Sequence, residues 1–271
     1  MVHQEKPTRA KLTRPVALAR PNRLTDTARM KRFLPHVIAV LLPTLGMAEQ
    51  PSVTVFAAAS LRGALDEVAR GYDGDVALSF GGSGTMARQV DAGAPADVVL
   101  LAAPVWMDWL RDRGAVDPDA VVDLLGNALV LIAPADSDIA PDPADLAGAL
   151  GDARLAMGQR DAVPAGIYAR EWFEKTGQWE AISAHLAETD NVRSALALVA
   201  RAETPLGVVY RTDAMAEPQV RTLYDIPKDT HSPITYPAAA LTDSGAAFMA
   251  HLRSEGARAV FARYGFEPRP E

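Results

Sequence analysis

The chain contains no cysteine, so neither a disulfide framework nor a thiolate metal site or nucleophile is available to it. Aromatic residues make up only 6%, and the 27 Lys and Arg are outnumbered by 34 Asp and Glu, for a formal net charge of -7. Nucleic acid and anionic membrane surfaces are bound through clustered cations, so both are excluded as main partners. Long apolar runs are missing too. The best candidate, Phe33 to Leu45, falls short of the roughly 20 residues of a membrane span and is broken by Pro35, His36 and Pro43. What is there, 271 residues that are 49% hydrophobic and 23% charged, is globular material for one or two domains.

Residues Met30 to Ala48 begin with Lys31 and Arg32, continue apolar, break at Pro43 and end on the small residues Gly46 and Ala48. This order is that of a secretory signal peptide and implies export to a bacterial periplasm. Upstream, Met1 to Arg29 is rich in Arg, Thr and Pro without periodicity. It reads either as an extended signal region or as the result of a start at Met1 where Met30 is the true one. Lys31-Arg32 is not the Arg pair of a twin-arginine signal. The first 48 residues hold nine Lys and Arg but only Glu5 and Asp26, so the remainder carries a net charge of -14. An anion bound there has to be held by local donors.

One helical pattern occurs three times. Leu61, Ala64, Leu65, Val68 and Ala69 follow the strand-like Ser52 to Phe56 and a small-residue turn, with Ser60 expected as the N-cap. The same spacing returns at Ala165, Tyr168, Ala169, Trp172 and Phe173, and again at Val192, Ala195, Leu196, Val199 and Ala200 behind Asn191, a good N-cap. Between these lie apolar strand candidates at Val76 to Phe80, Val98 to Leu101, Ala128 to Ala133 and Leu206 to Tyr210. Apolar strands alternating with helices predict an α/β protein with a mostly parallel sheet, in one large or two smaller pieces. The stretch Ala133 to Ala149, rich in Ala, Pro and Asp, reads as a surface loop and short helix.

The segment from Val76 to Ala87 is a strand, a glycine-rich turn and a helix start. Its Gly82-Ser83-Gly84-Thr85-Met86-Ala87 has dinucleotide-fingerprint spacing, but no acidic ribose ligand stands at Leu101 to Ala103, about 20 residues on. Gly81-Gly82-Ser83-Gly84-Thr85 nearly forms a nucleophile elbow, with Thr85 in place of the closing glycine. The later histidines His185, His231 and His251 carry no triad signature. A third reading is an anion nest, in which backbone N–H groups turn inward, Ser83 adds a hydroxyl and the following helix adds its positive end. A tight turn without a ligand is the plain alternative. Ser60, Ser83, Ala165 and Val192 all sit at expected helix starts, which in open α/β sheets gather where ligands bind. Each helix start carries about half a positive charge, so four aimed at one point match a dianion in order of magnitude.

The stretches Thr54-Val-Phe-Ala-Ala-Ala-Ser-Leu61, Gly93-Ala-Pro-Ala-Asp97, Leu125-Gly-Asn-Ala-Leu129, Val163-Pro-Ala-Gly-Ile-Tyr-Ala169, Asn191-Val-Arg-Ser-Ala-Leu-Ala-Leu198 and Pro205-Leu-Gly-Val-Val-Tyr210 resemble the periplasmic molybdate-binding proteins of ABC uptake systems. The resemblance runs from about Val53 to Phe266. It implies a two-lobe, type II periplasmic binding protein with a ligand cleft between the lobes and two hinge crossovers, near Asn127 to Ala133 and Pro233 to Ala238. The implied division is a signal region at 1–48, a first lobe built from 49–130 and 236–271, and a second lobe at 131–235. Carried over by position, Ser60 and Ser83 supply donors from one lobe, and Ala165, Val192 and Tyr210 supply them from the other. Molybdate or tungstate is then held through its oxygens without direct ligation of the metal. The implied protein is not an enzyme, needs no cofactor, works as a monomer without inserting into the membrane, and delivers its ligand to a membrane permease. The alternatives are another oxyanion such as sulfate, or a serine hydrolase acting through Ser83.

Two departures from the family pattern bear on the site. Ser83 is the sole hydroxyl of Gly82-Ser83-Gly84, where a serine cluster is common, and Gln159-Arg160 replaces an Asp-Pro pair, which brings Arg160 toward the cleft mouth. Trp106, Trp109, Trp172 and Trp179 are expected in packing, and His231 in a solvated loop. Tyr210 by itself reads equally as a core tyrosine at a strand end.

Overall fold

The computed structural model describes residues 52–269, so the signal peptide expected at Met30 to Ala48 and the extension before it lie outside the described residues. Within them, the chain opens with β1 (Val53–Ala58), whose Val55 and Ala57 face one side of a sheet and Phe56 the other. A 3-10 turn at Ala59–Leu61 leads into α1 (Arg62–Arg70), which buries Ala64, Leu65 and Val68. Then come β2 (Val76–Gly81), α2 (Ser83–Asp91), β3 (Val98–Leu100), α3 (Pro104–Asp112) and β4 (Val121–Gly126). After Asn127 and Ala128 the chain enters a second sheet with β5 (Leu129–Pro134), buried along its whole length.

The second sheet continues through α4 (Leu146–Leu150), β6 (Leu155–Gly158), α5 (Pro164–Lys175), α6 (Trp179–Ile182), β7 (Leu186–Thr189), α7 (Val192–Ala200), β8 (Leu206–Tyr210), α8 (Arg211–Met215) and β9 (Val220–Asp225). In α5 the expected stripe is buried at every position from Ala165 to Phe173, Pro164 starts the helix, and Gly177 lies beyond its end with a φ of 73°. In α7 the Asn191 side chain accepts from the Ser194 N–H at 3.0 Å, which satisfies one of the free amides of the first turn. Residues 226–234 return the chain to the first sheet, which it completes with β10 (Thr235–Ala240), α9 (Asp243–Leu252), α10 (Glu255–Arg263) and β11 (Glu267–Pro268).

The strand orders are β11-β4-β10-β3-β1-β2 and β7-β6-β8-β5-β9. Each sheet with its helices is called a lobe below, the first lobe holding β1. The expectation of mostly parallel sheets is corrected. β10 runs antiparallel to both β3 and β4, and β5 runs antiparallel to both β8 and β9. These two strands are the ones that follow a crossing between lobes, so they do not come from a β-α-β turn that would keep them parallel. Pro237 stands inside the central strand β10, at a register shift between Tyr236 and Pro237, the kind of ladder irregularity at which a residue without an N–H is tolerated. Helices α2 and α3 cover one face of the first sheet through Met86, Val90, Met107 and Leu110. Helices α1, α9 and α10 cover the other through Leu65, Phe248 and Phe261.

Candidate functional site

The turn after β1, the start of α2, the start of α5, the start of α7 and the end of β8 converge on one small cavity. Ser60 and Ser83 line it from the first lobe, and Ala165, Val192 and Tyr210 from the second. The sequence gives no lining role to Ala58, Ala59, Ala102 and Val163, and marks Asn191 only as an N-cap; these complete the lining with Gly81, Gly82 and Pro164. The small side chains let the backbone come to the surface of the cavity.

Ser60 is not an N-cap as expected. It lies within the 3-10 turn, 2% exposed, because α1 starts only at Arg62. Ser83 is the first residue of α2, and its Oγ accepts from the Ala102 N–H at 2.9 Å. In α5 the Gly166 N–H already bonds back to the Val163 carbonyl, so the Ala165 N–H, one residue earlier, is left by helix geometry for a partner from outside. The Val192 N–H stands likewise at the first position of α7.

Tyr210 is buried, and its hydroxyl has no hydrogen-bond partner among the described residues. A phenol in the core normally finds one. Burial pushes its pKa well above the ordinary value, so the group stays a neutral donor at physiological pH. No histidine and no carboxylate lines the cavity. Ser83 therefore lacks a base within the cavity lining, and its one bonded neighbour is an amide. That is the opposite of what a hydrolase nucleophile needs.

A polar chain stands behind Ser60. Its Oγ is 3.0 Å from the Tyr236 hydroxyl, which in turn accepts from Asn127 Nδ2 at 3.1 Å. The same Nδ2 donates to Thr212 Oγ1 at 2.9 Å, while Asn127 Oδ1 accepts from the Ala128 N–H at 2.8 Å. Asn127, in the first crossing, thus bonds to both lobes. The sequence marks Asn127 as the start of the first hinge crossover but gives no sign of these hydrogen bonds.

Arg193, next to Val192, forms an ion pair with the fully buried Asp213 at 2.6 Å and donates to the Ser60 carbonyl at 3.4 Å. Asp213 also accepts from the Tyr210 N–H at 3.3 Å. Desolvation raises the Asp213 carboxyl to about 6, with Arg193 pulling the other way. The spacing of Asp213, three residues after Tyr210 at a helix start, is the signal that could have found it.

Other contacts cross between the lobes. Trp106 Nε1 donates to the Ala162 carbonyl at 2.9 Å, so this tryptophan does more than pack. The Tyr168 hydroxyl reaches the Ala102 carbonyl at 3.5 Å. A Cβ added to Gly82 would collide with the Asp190 carbonyl. Arg160 does not approach the cavity. Both its Nε and its Nη2 donate to Glu188, and its guanidinium lies 4.9 Å from the Trp179 ring, so an ion pair and a stacked ring hold it within the second lobe. His231 is not fully solvated either: its ring lies 5.9 Å from that of Tyr168, with Nε2 buried.

The family model described as bacterial extracellular solute-binding protein matches residues 53–267. The chain is 41% identical over 232 residues to the molybdate-binding protein ModA of Escherichia coli (strain K12), covering 81% of this chain and 90% of that one. It is 40% identical over 253 residues to the molybdate-binding protein ModA of Haemophilus influenzae, covering 88% and 99%. Among solved structures, the periplasmic molybdate-binding protein of Azotobacter vinelandii shares the fold with a TM-score of 0.71 at 20% identity, over 81% of this chain and 100% of that one. With its two lobes joined by two crossings and its cavity between them, the chain belongs to the bacterial extracellular solute-binding proteins.

Proposed function

We propose that this protein captures molybdate, and tungstate as its close analogue, in the periplasm and presents the closed form to the membrane permease of an ABC transporter. In this reading it acts as a monomer, with a first lobe from 49–130 and 236–271 and a second from 131–235. Ser60, Ser83, Ala165, Val192 and Tyr210 hold the ligand by its oxygens, with no residue ligating the metal. One observation carries the reading: neutral donors from both lobes line a single cavity that contains no acceptor carboxylate. An unprotonated tetrahedral dianion offers only acceptors, and helix starts stabilise negative charge without any Lys or Arg. The relatives named for molybdate binding, at about two-fifths identity, support the choice of ligand.

The test is thermal unfolding against a panel of oxyanions. Ligand at 100 times its Kd adds about 2.7 kcal/mol, and a chain of this length gains about 2 to 4 °C per kcal/mol. Molybdate and tungstate are expected to raise Tm by roughly 5 to 10 °C. No shift at saturating concentrations of either would refute the reading.

A further inference from the structure

The two serine hydroxyls of the cavity each have a donor fixed behind them. For Ser83 it is the Ala102 N–H, which cannot reverse. For Ser60 it is the chain that starts at Asn127. The Asn127 carboxamide has one orientation, because its Oδ1 accepts from the Ala128 N–H. Its two Nδ2 hydrogens then go to Thr212 Oγ1 and Tyr236 Oη. The Tyr236 hydroxyl, which accepts from Asn127, lies 3.0 Å from Ser60 Oγ, and either oxygen could be the donor there. Were Ser60 to donate to Tyr236, the buried phenolic hydrogen would have only the neighbouring Tyr210 hydroxyl to turn to, and the two phenols do not meet in the geometry of a good hydrogen bond. Leaving a buried donor unpaired is unfavourable. The Ser60 hydrogen is therefore turned into the cavity.

We propose that Asn127 and Tyr236 are specificity-determining positioning residues, which hold the Ser60 hydroxyl as a donor toward the cavity and so restrict the site to tetrahedral oxyanions that carry no proton. Neither residue lines the cavity, and both act through Ser60. The inference rests on the oxyanion reading above. A ligand such as hydrogen phosphate brings one O–H of its own, and a serine held as a donor gives that proton no place to go.

The test uses Asn127→Asp in the full chain, with calorimetric competition between molybdate, sulfate and inorganic phosphate at pH 8, where all three are dianions. The substitution keeps the shape of the side chain and the acceptor for the Ala128 N–H. It replaces the donor to Tyr236 by an acceptor, so the Tyr236 hydrogen turns back, Ser60 donates to Tyr236, and a lone pair faces the cavity. Any general loss, including that from the added charge, weakens all three dianions alike. The preference for molybdate over hydrogen phosphate is expected to fall about ten-fold or more, with the preference over sulfate unchanged.

The companion variant Tyr236→Phe cuts the chain while keeping the ring contacts to Phe266 and Tyr210. It too is expected to lower the molybdate-to-phosphate ratio, and adding Asn127→Asp to it should lower the ratio no further. An unchanged ratio in either single variant, with molybdate still bound, overturns the inference. So does a further loss in the double variant. A wild-type chain that binds none of the three anions would instead remove the oxyanion reading, and this inference with it.

Discussion

The indole N–H of Trp106, on α3 of the first lobe, donates across the cleft to the carbonyl of Ala162, in the second, at 2.9 Å. Gly84 makes room for this ring, since a Cβ there would touch the indole carbons, and the Arg88 guanidinium lies 5.2 Å from the ring centre. The bond exists only when the lobes are together. Trp106→Phe is expected to speed ligand release about two- to twelve-fold, the equivalent of one net hydrogen bond of about 0.5 to 1.5 kcal/mol. Association should hardly change. Stopped-flow displacement measures both rates, and an unaltered release rate would show that the contact adds nothing to the closed state.

Gly82 tests closure itself. Its φ of -63° and ψ of 138° are open to any residue, so alanine does not strain its own lobe. The new methyl would instead run into the Asp190 carbonyl of the opposite lobe. Gly82→Ala is expected to weaken ligand binding by about ten-fold to a hundred-fold through overpacking, with the Tm of the ligand-free protein unchanged. Gly166→Ala makes the contrast: its clash, with the Gly158 carbonyl, falls inside one lobe and should lower the ligand-free Tm.

Tyr210→Phe should separate ligand binding from folding. The hydroxyl has no partner to lose, so the ligand-free protein is expected to be as stable as before or slightly more so. Molybdate affinity should fall by about 1.5 to 3 kcal/mol, the range for a hydrogen bond to a charged group. Calorimetry alongside chemical unfolding reads both, and equal losses in stability and affinity would contradict the assignment.

Asp213 sets a pH dependence. Its carboxyl is raised to about 6 in the folded chain, chiefly by desolvation. Unfolded, it titrates at about 3.9. Between these values the folded state keeps a proton that the unfolded state has released, so this group's contribution to stability falls as pH rises from about 4 to about 6. Asp213→Asn should flatten that part of the profile. Denaturant midpoints of both proteins across this window decide it, and parallel profiles would rule the residue out as the source.

Much of the cavity was legible because its residues stand at helix starts, which sequence marks by caps and apolar spacing. Asn191 and the stripes from Ala165 and Val192 are local signals, and local structure follows them. The start of α1 lies one residue beyond the expected one, because Ala58-Ala59 offers no polar side chain to cap the helix and Ser60 is drawn into a 3-10 turn. β10 escaped because Pro237 argues against a central strand, and only the bulge beside it makes the residue acceptable there. Asn127, Tyr236 and Thr212 could not be associated from sequence at all. They lie far apart in the chain and meet only where the two crossings run side by side. Trp106 was read as packing since its helix pattern says nothing of a carbonyl 56 residues further on.

The placement of β10 between β3 and β4 has a consequence for how the molecule is made. The first lobe is begun by the earliest described strand but closed by one that starts at Thr235, after the whole second lobe has been laid down. Until that strand emerges, β3 and β4 have no neighbour between them and their inner edges stay open. The second lobe, whose strands are contiguous in sequence, carries no such debt to later residues. Pairing over such sequence distances is slow, so the second lobe can complete its sheet before the first.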